Sequence, residues 1–502
     1  WLKQVGSRLW HLRSSWCSAP APLAMMTSLL LHVASAGFAA AARLGEAPPM
    51  GWRSWNAFQL EVGADKMHRQ AVALASRLPS KGPSFGTLLS LGFRDVGVDD
   101  GWQDCGAGYN GTFHSEAGIT LVNTSRFDNL SDMTSRARSL GVSMGWYLNN
   151  CWCSELGRIP GGHGNAVDDL RLIVGAGFAS VKIDGCGPAH GMELWTDALK
   201  YVGAEGALLV ENCGNNRKLE DVWSPEEGLP SEGNPLPVWV PASPDDVRGE
   251  KCEGFQTYRV SRDISPQFFS TMWNLQQMLP FLGEEPLSRP GCWAYPDMLQ
   301  VANQLSFQES RSHFGAWCVT SSPLVLGFDL TNTTVFDEVY SIVGNELAIS
   351  VDQSWAGHPG RLVKQSPDSI TVEVAHTADA ALADQSCRYP VGNVDTFGTP
   401  RCERTTLPRW QVWSKPMPDA AVAVFFVNIG DAPLEKISVS LAELTIDSKQ
   451  EVVVTDIWKQ EAGVQRIPPG GELSVSGLPS HDSAFFLLEP VVKYDMGRTV
   501  AV

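Results

Sequence analysis

The first two thirds of the chain alternate between short apolar runs and segments in which apolar residues recur every three or four positions. The runs have the length of β-strands, and the periodic segments have the spacing of amphipathic helices. We predict strands at PPMGWRSW (48–55), FRDVGVDD (93–100), VSMGWYLNN (142–150), SVKIDGCG (180–187), ALLVENCG (207–214), TYRVSRDI (257–264), CWAYPDML (292–299) and SPLVLGF (322–328). We predict helices at 128–141, 166–178, 191–204 and 264–282. Eight strand-plus-helix units in about 300 residues predict a parallel (β/α)8 TIM barrel. An open doubly wound sheet is the alternative, but its usual glycine-rich first turn is absent.

The pattern changes after about residue 355, where no strong helical periodicity remains. Short β-branched runs separated by turn residues are typical of an antiparallel β-sandwich. These runs are SITVEVA, AVAVFFVNI, KISVSL, EVVVTDIW and SAFFLLEPV. The interval from Cys387 to Cys402 is rich in Gly, Pro and Asn, and we interpret it as a disulfide-closed loop. We therefore predict a barrel domain at 45–355 and a C-terminal β-sandwich domain at 356–502.

The amino-terminal segment has the pattern of a signal peptide. Met25 and Met26 precede TSLLLHVASAGFAAAARLG, an apolar run that ends in small residues. A membrane anchor is the alternative, but about 15 apolar residues fall short of the roughly 20 that a spanning helix needs. We interpret 25–44 as a signal peptide and 1–24 as an upstream extension, which we exclude from the fold.

Composition argues against a nucleic-acid partner. The formal charge is -17, with 38 Lys+Arg against 55 Asp+Glu, which disfavours a phosphate-binding surface. We therefore expect no nucleic-acid partner. The hydrophobic fraction of 43% and charged fraction of 19% are those of a folded globular protein.

Glycosylation sequons and cysteines agree with export. Four N-x-Ser/Thr sequons occur, at Asn110, Asn123, Asn129 and Asn332. Of 11 cysteines, ten lie beyond the predicted signal peptide, and an oxidising compartment makes disulfides the expected state for some of them. The C-x-C at 151–153 lacks the second pair and the His residues of a structural zinc site, which disfavours metal. We place the protein in the secretory pathway, outside the cell or in a lysosome-like compartment.

Polar residues fall at the carboxyl ends of the predicted strands, where barrel enzymes carry their chemistry. They are Asp99, Asp100, Asn149, Asn150, Asp184, Glu211, Asp263 and Asp297. Carboxylates accept hydrogen bonds from hydroxyls, and aromatic rings such as those of Trp55 and Tyr147 pack on the C–H face of a sugar. An acid after a strand is also a common helix N-cap, which is the alternative for any single one. Six acids in that position favour a site for a neutral polyhydroxylated ligand.

Two of these acids are preceded by a basic residue at an even spacing along the same predicted strand. Glycoside hydrolysis needs one carboxylate as nucleophile or base and one as proton donor. Lys182 lies two residues before Asp184, and Arg259 lies four before Asp263, so each pair shares one face of a strand. A neighbouring cation favours the ionised form of a carboxylate.

These motifs together resemble glycoside hydrolase family 27, the retaining α-galactosidases and α-N-acetylgalactosaminidases. In order they are P-P-M-G-W-R-S-W-N, V-D-D, G-W-Y, V-K-I-D-G-C, Y-R-V-S-R-D-I and P-D-M-L, over about residues 47–355. The resemblance implies Asp184 as nucleophile and Asp263 as acid/base. The sugar-contacting positions that it implies are Trp55, Asp99, Asp100, Tyr147, Lys182, Arg259 and Asp297. It also implies a disulfide between Cys186 and either Cys151 or Cys153, with buried thiols as the alternative.

The chain departs from the family pattern at several positions. Gly101 follows the Asp pair where many members have Cys, so we expect the disulfide at that position to be missing. Arg262 stands beside the acid/base where a small residue is usual, and a cation there would lower the pKa of Asp263 unless it points away. Glu211 favours a 2-hydroxyl on the sugar, and hence galactose, although its loop matches neither family pattern cleanly. The 225–254 insertion is expected to form a long loop near the mouth of the pocket.

The sequence therefore predicts a retaining glycosidase that removes terminal α-linked galactose by double displacement. No cofactor and no metal are expected, the partner is a carbohydrate, no stable membrane span is expected, and a homodimer is left open. Within the enzyme class, the alternatives are N-acetylgalactosamine, β-L-arabinopyranose or an isomaltose unit as the sugar. From another class, the alternative is a carbohydrate-binding protein that has lost turnover.

Overall fold

The computed structural model of the chain describes residues 44–82, 84–149, 153, 165–185, 191–215, 242–248, 252, 254–377, 387 and 402–491. The upstream extension, the predicted signal peptide up to residue 43 and most of the 225–254 insertion lie outside these residues. Among the described helices, none has the length and apolar character that crossing a bilayer requires.

Eight parallel strands form the barrel, which confirms the predicted fold. The strands are β1 (Met50–Arg53), β2 (Asp95–Gly97), β3 (Ser143–Asn149), β4 (Ser180–Asp184), β5 (Leu209–Cys213), β6 (Thr257–Arg259), β7 (Trp293–Tyr295) and β8 (Leu324–Leu326). The ladder runs in the order β7-β6-β5-β4-β3-β2-β1-β8. Between its two ends, the backbone N–H of Leu299 donates to the carbonyl of Val325 at 2.7 Å. This hydrogen bond ties the segment after β7 to β8.

Helices follow the strands as the periodicity predicted. They are α1 (Trp55–Phe58), α2 (Ala64–Ser76), α3 (Leu130–Ser139), α4 (Ala166–Ala176), α5 (Met192–Val202), α6 (Pro244–Val247), α7 (Phe268–Gln277), α8 (Phe307–Val319), α9 (Thr333–Val343) and α10 (Glu346–Gln353). α4 and α5 end at Gly177 and Gly203, whose φ angles of 82° and 71° are left-handed, the conformation that favours glycine at a helix C-terminus.

Antiparallel strands follow the barrel, as expected for a C-terminal sandwich. They are β9 (Arg361–Gln365), β10 (Ser369–Ala375), β11 (Cys402–Pro408), β12 (Trp410–Pro416), β13 (Val422–Asn428), β14 (Leu434–Ser440), β15 (Val452–Asp456), β16 (Glu461–Ile467), β17 (Glu472–Leu478) and β18 (Ser483–Pro490). Six of them form one sheet in the order β16-β15-β18-β13-β12-β9, and β14 pairs with β17. Alternate side chains of both sheets, such as Val424 and Val439, bury a common apolar core. β10 and β11 pair separately as a two-stranded ribbon. The predicted domain boundary at 355 falls between α10 and β9.

α8 is one of the barrel helices that pack against the sandwich. Arg311 of this helix pairs with Asp482 at 2.6 Å, and Gly315 faces the sheet. A Cβ built on Gly315 would lie 2.5 Å from the ring of Phe425 and 2.8 Å from that of Trp458. Glycine is therefore needed for this helix to pack so closely on the sheet.

Three disulfides join described residues: Cys105–Cys153, Cys252–Cys292 and Cys387–Cys402. Gly101 contributes none, but Cys105 in the same loop tethers the segment after β2 to the segment after β3. Since Cys153 is bonded to Cys105, it is not the partner of Cys186, which corrects one of the two predicted pairings. The other candidate, Cys151, and Cys186 itself lie outside the described residues.

Candidate active site

Strand register places the predicted site residues in layers inside the barrel. Tyr147 lies level with Lys182, and Lys182 lies level with Glu211. Two residues later in each strand, Asp184 lies level with Asn149 on one side and Cys213 on the other. Side chains two positions apart on a strand share a face, so each pair points to the same side of the sheet.

The Asp184 carboxylate is buried among donors. The Tyr147 hydroxyl donates to Oδ2 at 3.0 Å, and the backbone N–H of Gly185 donates to Oδ1 at 3.0 Å. Lys182 Nζ lies 3.7 Å from Oδ2, and the Asp184 side chain is only 7% exposed. Hydrogen bonds and a nearby cation of this kind stabilise a carboxylate in its ionised form. Asp184 therefore has the surroundings that a carboxylate nucleophile needs.

Lys182 links Asp184 to the loop after β2. Its Nζ also lies 3.0 Å from Asp99 Oδ2, so one ammonium group lies between two carboxylates. Burial alone would lower the pKa of Lys182, but Asp99 and Asp184 raise it well above its usual value. Lys182 therefore carries its positive charge at neutral and acidic pH.

The Asp pair after β2 is fixed by backbone contacts. The hydroxyl of Ser54, directly after β1, accepts from the backbone N–H of Asp99 at 2.8 Å. Asp100 Oδ1 accepts from the Gln103 amide at 2.8 Å and from the backbone N–H of Gly101 at 3.0 Å. Gly101 has a φ of 106°, and a Cβ there would lie 2.8 Å from the Leu60 backbone. Both acids are buried.

Arg259 contacts the two acids that follow β6 and β7, Asp263 and Asp297. Its guanidinium is buried, with Nη2 3.2 Å from Asp263 Oδ1 and 3.0 Å from Asp297 Oδ2. Nη1 donates to the Cys213 sulfur at 3.4 Å. Burial would lower the pKa of Arg259, but Asp297, Cys213 and Asp263 together raise it well above its ordinary value. One buried cation thereby connects the strand next to Asp184 with the loop that carries Asp263.

Asp263 differs from Asp184 in exposure. Its side chain is 56% exposed although its cationic partner is almost fully buried. A general acid/base must reach both the leaving oxygen and a water molecule, so an exposed carboxylate suits that task better than a buried one. The two candidate carboxylates thus have environments that match the two different roles.

Asp297 lies in a left-handed backbone conformation, with a φ of 89°. Such a conformation costs a non-glycine residue about 1–3 kcal/mol and persists only where the surroundings impose it. Here the carboxylate accepts from the backbone N–H of Ile264 at 2.8 Å and from that of Met298 at 2.7 Å. Burial raises the pKa of Asp297 to about 6, an effect that the Arg259 guanidinium opposes. The turn after Pro296 therefore points this acid at the loop that carries Asp263.

Trp55 begins α1, separated from the end of the first strand by Ser54, and it packs, half-buried, on an apolar group formed by Tyr295, Met298 and Val325. Sequence analysis predicted Trp55 and missed Tyr295. The signal for Tyr295 was its position in β7, two residues before Asp297. An aromatic wall of this kind is suited to stacking on a sugar.

The position of Glu211 corrects the sequence-based picture. It lies in the middle of β5 rather than at its end, and Arg53 Nη2 pairs with Glu211 Oε2 at 3.0 Å. Cys213, two residues later, is the side chain level with Asp184. Sequence analysis missed both Arg53 and Cys213. A buried Arg at the end of the apolar strand β1 was the signal for an interior acid partner.

Carboxylates outnumber cations at this site, which suits a ligand that donates hydroxyl groups. The carboxylates are those of Asp99, Asp100, Asp184, Glu211, Asp263 and Asp297, and the cations are Arg53, Lys182 and Arg259. Within the described part of the chain, no group of three His, Cys, Asp or Glu side chains is arranged to hold a metal ion.

Comparison with known proteins gives consistent results. Residues 408–488 match the model of the α-galactosidase C-terminal β-sandwich domain. The chain is 23% identical over 456 residues to an α-galactosidase of Cyamopsis tetragonoloba, covering 89% of this chain and 87% of the relative. It is 27% identical over 357 residues to an α-N-acetylgalactosaminidase of Rattus norvegicus, covering 67% of this chain and 75% of the relative.

The resemblance to glycoside hydrolase family 27 is confirmed. Among solved structures, α-galactosidase I of Mortierella vinacea superposes with a TM-score of 0.63 at 18% identity, covering 89% of this chain and 97% of that chain. At that level of identity the superposition shows the shared fold. The shared fold thus covers both the barrel and the sandwich.

Proposed function

We propose that the protein hydrolyses terminal α-linked galactosides with retention of configuration. The observation that carries the proposal is the pair of differently placed carboxylates: Asp184 buried against Lys182 and Tyr147, and Asp263 exposed beside Arg259. In glycosidases, the roles of two carboxylates are usually assigned from the difference between their environments.

In the proposed mechanism, Asp184 attacks the anomeric carbon and forms a covalent glycosyl-enzyme while Asp263 protonates the leaving oxygen. Asp263 then takes a proton from water, and the resulting hydroxide releases the sugar from Asp184. Two displacements retain the anomeric configuration, and they require the carboxyls to lie about 5–5.5 Å apart. The hydrogen bond from Tyr147 and the nearby Lys182 ammonium would hold the Asp184 carboxylate in place for attack.

Support for galactose as the sugar comes from the relatives whose names include α-galactosidase. The argument from Glu211 is weaker than the sequence suggested, because Arg53 already engages that carboxylate. An α-N-acetylgalactosaminide is therefore the second candidate substrate, and the relative from Rattus norvegicus favours including it.

The test is hydrolysis of 4-nitrophenyl α-galactoside, compared with the α-N-acetylgalactosaminide and the β-L-arabinopyranoside. We expect turnover of the first, loss of turnover in Asp184→Asn, and wild-type turnover in the surface variant Asp128→Asn. Proton NMR of the first product should show the α-anomer. Sugar binding without turnover in the unmodified protein would instead support a carbohydrate-binding function.

Two further parts of the proposal concern cellular context. Three disulfides support residence in the secretory pathway, outside the cell or in a lysosome-like compartment, since such bonds persist under oxidising conditions. A homodimer stays a prediction, which sedimentation velocity of the purified protein would test.

A further inference from the structure

The β10–β11 ribbon packs against the loop that carries Asp263. Ser270, in the first turn of α7, accepts from the backbone N–H of Ser265 at 2.9 Å and donates to the carbonyl of Ala375 at 3.0 Å. Trp273 of α7 meets the ring of His376 edge-on, with the ring centroids 4.6 Å apart. The ribbon, α7 and the loop after β6 are therefore held together by buried contacts.

Arg262, the residue before Asp263, is directed towards this ribbon. Its carbonyl accepts from the Asn274 side chain at 3.2 Å, and its Nη1 lies 4.0 Å from Glu403 Oε2. Glu403 lies on β11, and the same oxygen is 3.5 Å from His376 Nε2. The extra cation beside Asp263 thus faces a carboxylate supplied by a segment more than a hundred residues further along the chain.

We propose that Glu403 is a positioning residue that holds the Arg262 guanidinium away from the Asp263 carboxyl. The inference rests on the proposed function, in which Asp263 must be protonated to release the leaving group. A cation that swings towards Asp263 favours its ionised form and so depletes the general acid.

The charged and titratable groups that face Asp263 come from three places: Arg259 and Arg262 from β6 and its loop, Asp297 from the turn after β7, and His376 and Glu403 from the ribbon. Burial lowers the pKa of His376 to about 4, and Arg262 acts in the same direction, so this ring is neutral near pH 6. Arg259 is already paired with Asp297. Arg259 also lies 3.2 Å from Asp263, but its guanidinium is buried between the two acids, whereas the side chain of Arg262 is 34% exposed. Arg262 is therefore the cation beside Asp263 whose orientation a variant can change.

The primary test is direct titration of Asp263 by carboxyl carbon NMR of protein labelled at Asp, with Asp263→Asn to assign the signal. Removing the Glu403 charge in Glu403→Gln should lower the titration midpoint of Asp263 by about half a pH unit, the effect of a unit charge several ångströms away in a solvated site. Compared with Arg262→Ser, Arg262→Ser/Glu403→Gln should lower the midpoint by clearly less, because the cation is gone and only the direct effect of the lost Glu403 charge remains. Glu373→Gln, which removes a charge from the exposed side of the same ribbon, is the matched control and should leave the midpoint unchanged.

An unchanged midpoint in Glu403→Gln, or the same shift in the double variant, would overturn the inference. Because the titration needs no turnover, its outcome can be measured whether or not the protein hydrolyses glycosides. A second measurement links the two: the basic limb of kcat/KM against pH should move down in Glu403→Gln by the same amount. A protein in which Asp263 shifts as expected but no glycoside is hydrolysed would disprove the proposed function and leave the positioning role intact.

Discussion

His313 should make the folded protein sensitive to acid. It lies fully buried in α8, its Nε2 accepts a hydrogen bond from the backbone N–H of Gln300 at 3.0 Å, and its ring packs edge-on against Trp317 with centroids 4.1 Å apart. Trp317 in turn donates its indole N–H to the carbonyl of Asp297 at 2.8 Å. His313 and Trp317 thereby both hold the segment after β7 against α8. A protonated His313 imidazole could no longer accept the hydrogen bond from the backbone N–H of Gln300.

The magnitude follows from the pKa of His313, which burial lowers from 6.5 to about 3. A folded pKa below the unfolded value means that the unfolded chain binds more protons as pH falls below 6.5, so stability is lost in that direction. The loss is about 2 kcal/mol at pH 5 and about 3 kcal/mol at pH 4, from about 1.4 kcal/mol per unit of pH. It levels off only near pH 3, where the folded protein also takes up the proton.

The test is His313→Gln, which keeps a hydrogen-bond acceptor but does not titrate. Thermal unfolding followed by tryptophan fluorescence at pH 8 and pH 5 gives two Tm values for each protein. With roughly 2.1 cal/mol/K of unfolding entropy per residue and about 300 residues in the barrel, 2 kcal/mol corresponds to about 3 °C. The wild-type Tm should therefore fall by about 3 °C more than that of the variant between the two pH values.

The control is His68→Gln on α2. Burial lowers the pKa of His68 as well, but this side chain is partly exposed, so its removal should change the pH dependence much less. Parallel loss of Tm in the wild type and His313→Gln would refute the reasoning, because it would show that His313 takes up no extra proton on unfolding.

Three further predictions concern the site and the packing of the barrel on the sandwich. In Lys182→Met, Asp99 and Asp184 lose their shared cation, so kcat/KM should fall by about 10–100-fold, and unchanged kinetics would contradict the role given to Lys182. In Asp297→Asn, which tolerates the left-handed backbone, loss of the charge facing Arg259 should cost about 10–100-fold in kcat/KM with an unchanged circular dichroism spectrum. Gly315→Ala places a methyl group against Phe425 and should destabilise the protein by about 1–3 kcal/mol, whereas Gly175→Ala in α4, where a Cβ meets nothing within 4 Å, should be neutral or stabilising in the same thermal assay.

Much of the fold could be predicted because the periodicity of apolar residues and the presence of turn residues are both visible in short stretches of sequence. The run at 369–375 and strand β10 coincide, and the four predicted helices all form, with ends a few residues inside the predicted ones. Strands were predicted too long where a β-branched run continues into a loop: 257–264 was predicted, but β6 ends at Arg259. The continuation past Arg259 leaves the ladder so that Asp263 can meet Arg259, and hydrophobic pattern alone does not show that turn.

The site was predictable where its partners share a strand and not where they come from different strands. Lys182 and Asp184 are two residues apart, so parity alone placed them together, and the structure brings their charged groups within 3.7 Å. Glu211 and Arg53 are far apart in sequence, and their pairing depends on the barrel bringing β1 and β5 to face one another. Cys213 lies two residues after Glu211, so strand parity could also have placed it on the same face. A cysteine in an apolar strand, however, does not by itself indicate a contact with a charged residue such as Arg259.

Arg262 shows why the remaining electrostatics could not be predicted. Its sequence position beside Asp263 suggests a cation that would impair a general acid, and only the ribbon explains how the two can coexist. Glu403 lies opposite Val374 on the ribbon and faces Arg262 because Ser270 and Trp273 of α7 fix the ribbon beside the loop after β6. The field at the candidate acid/base is thus set partly by residues that follow the barrel in sequence. A barrel expressed without the strands that follow it should therefore lose more than stability, because Arg262 would lose the carboxylate that directs it.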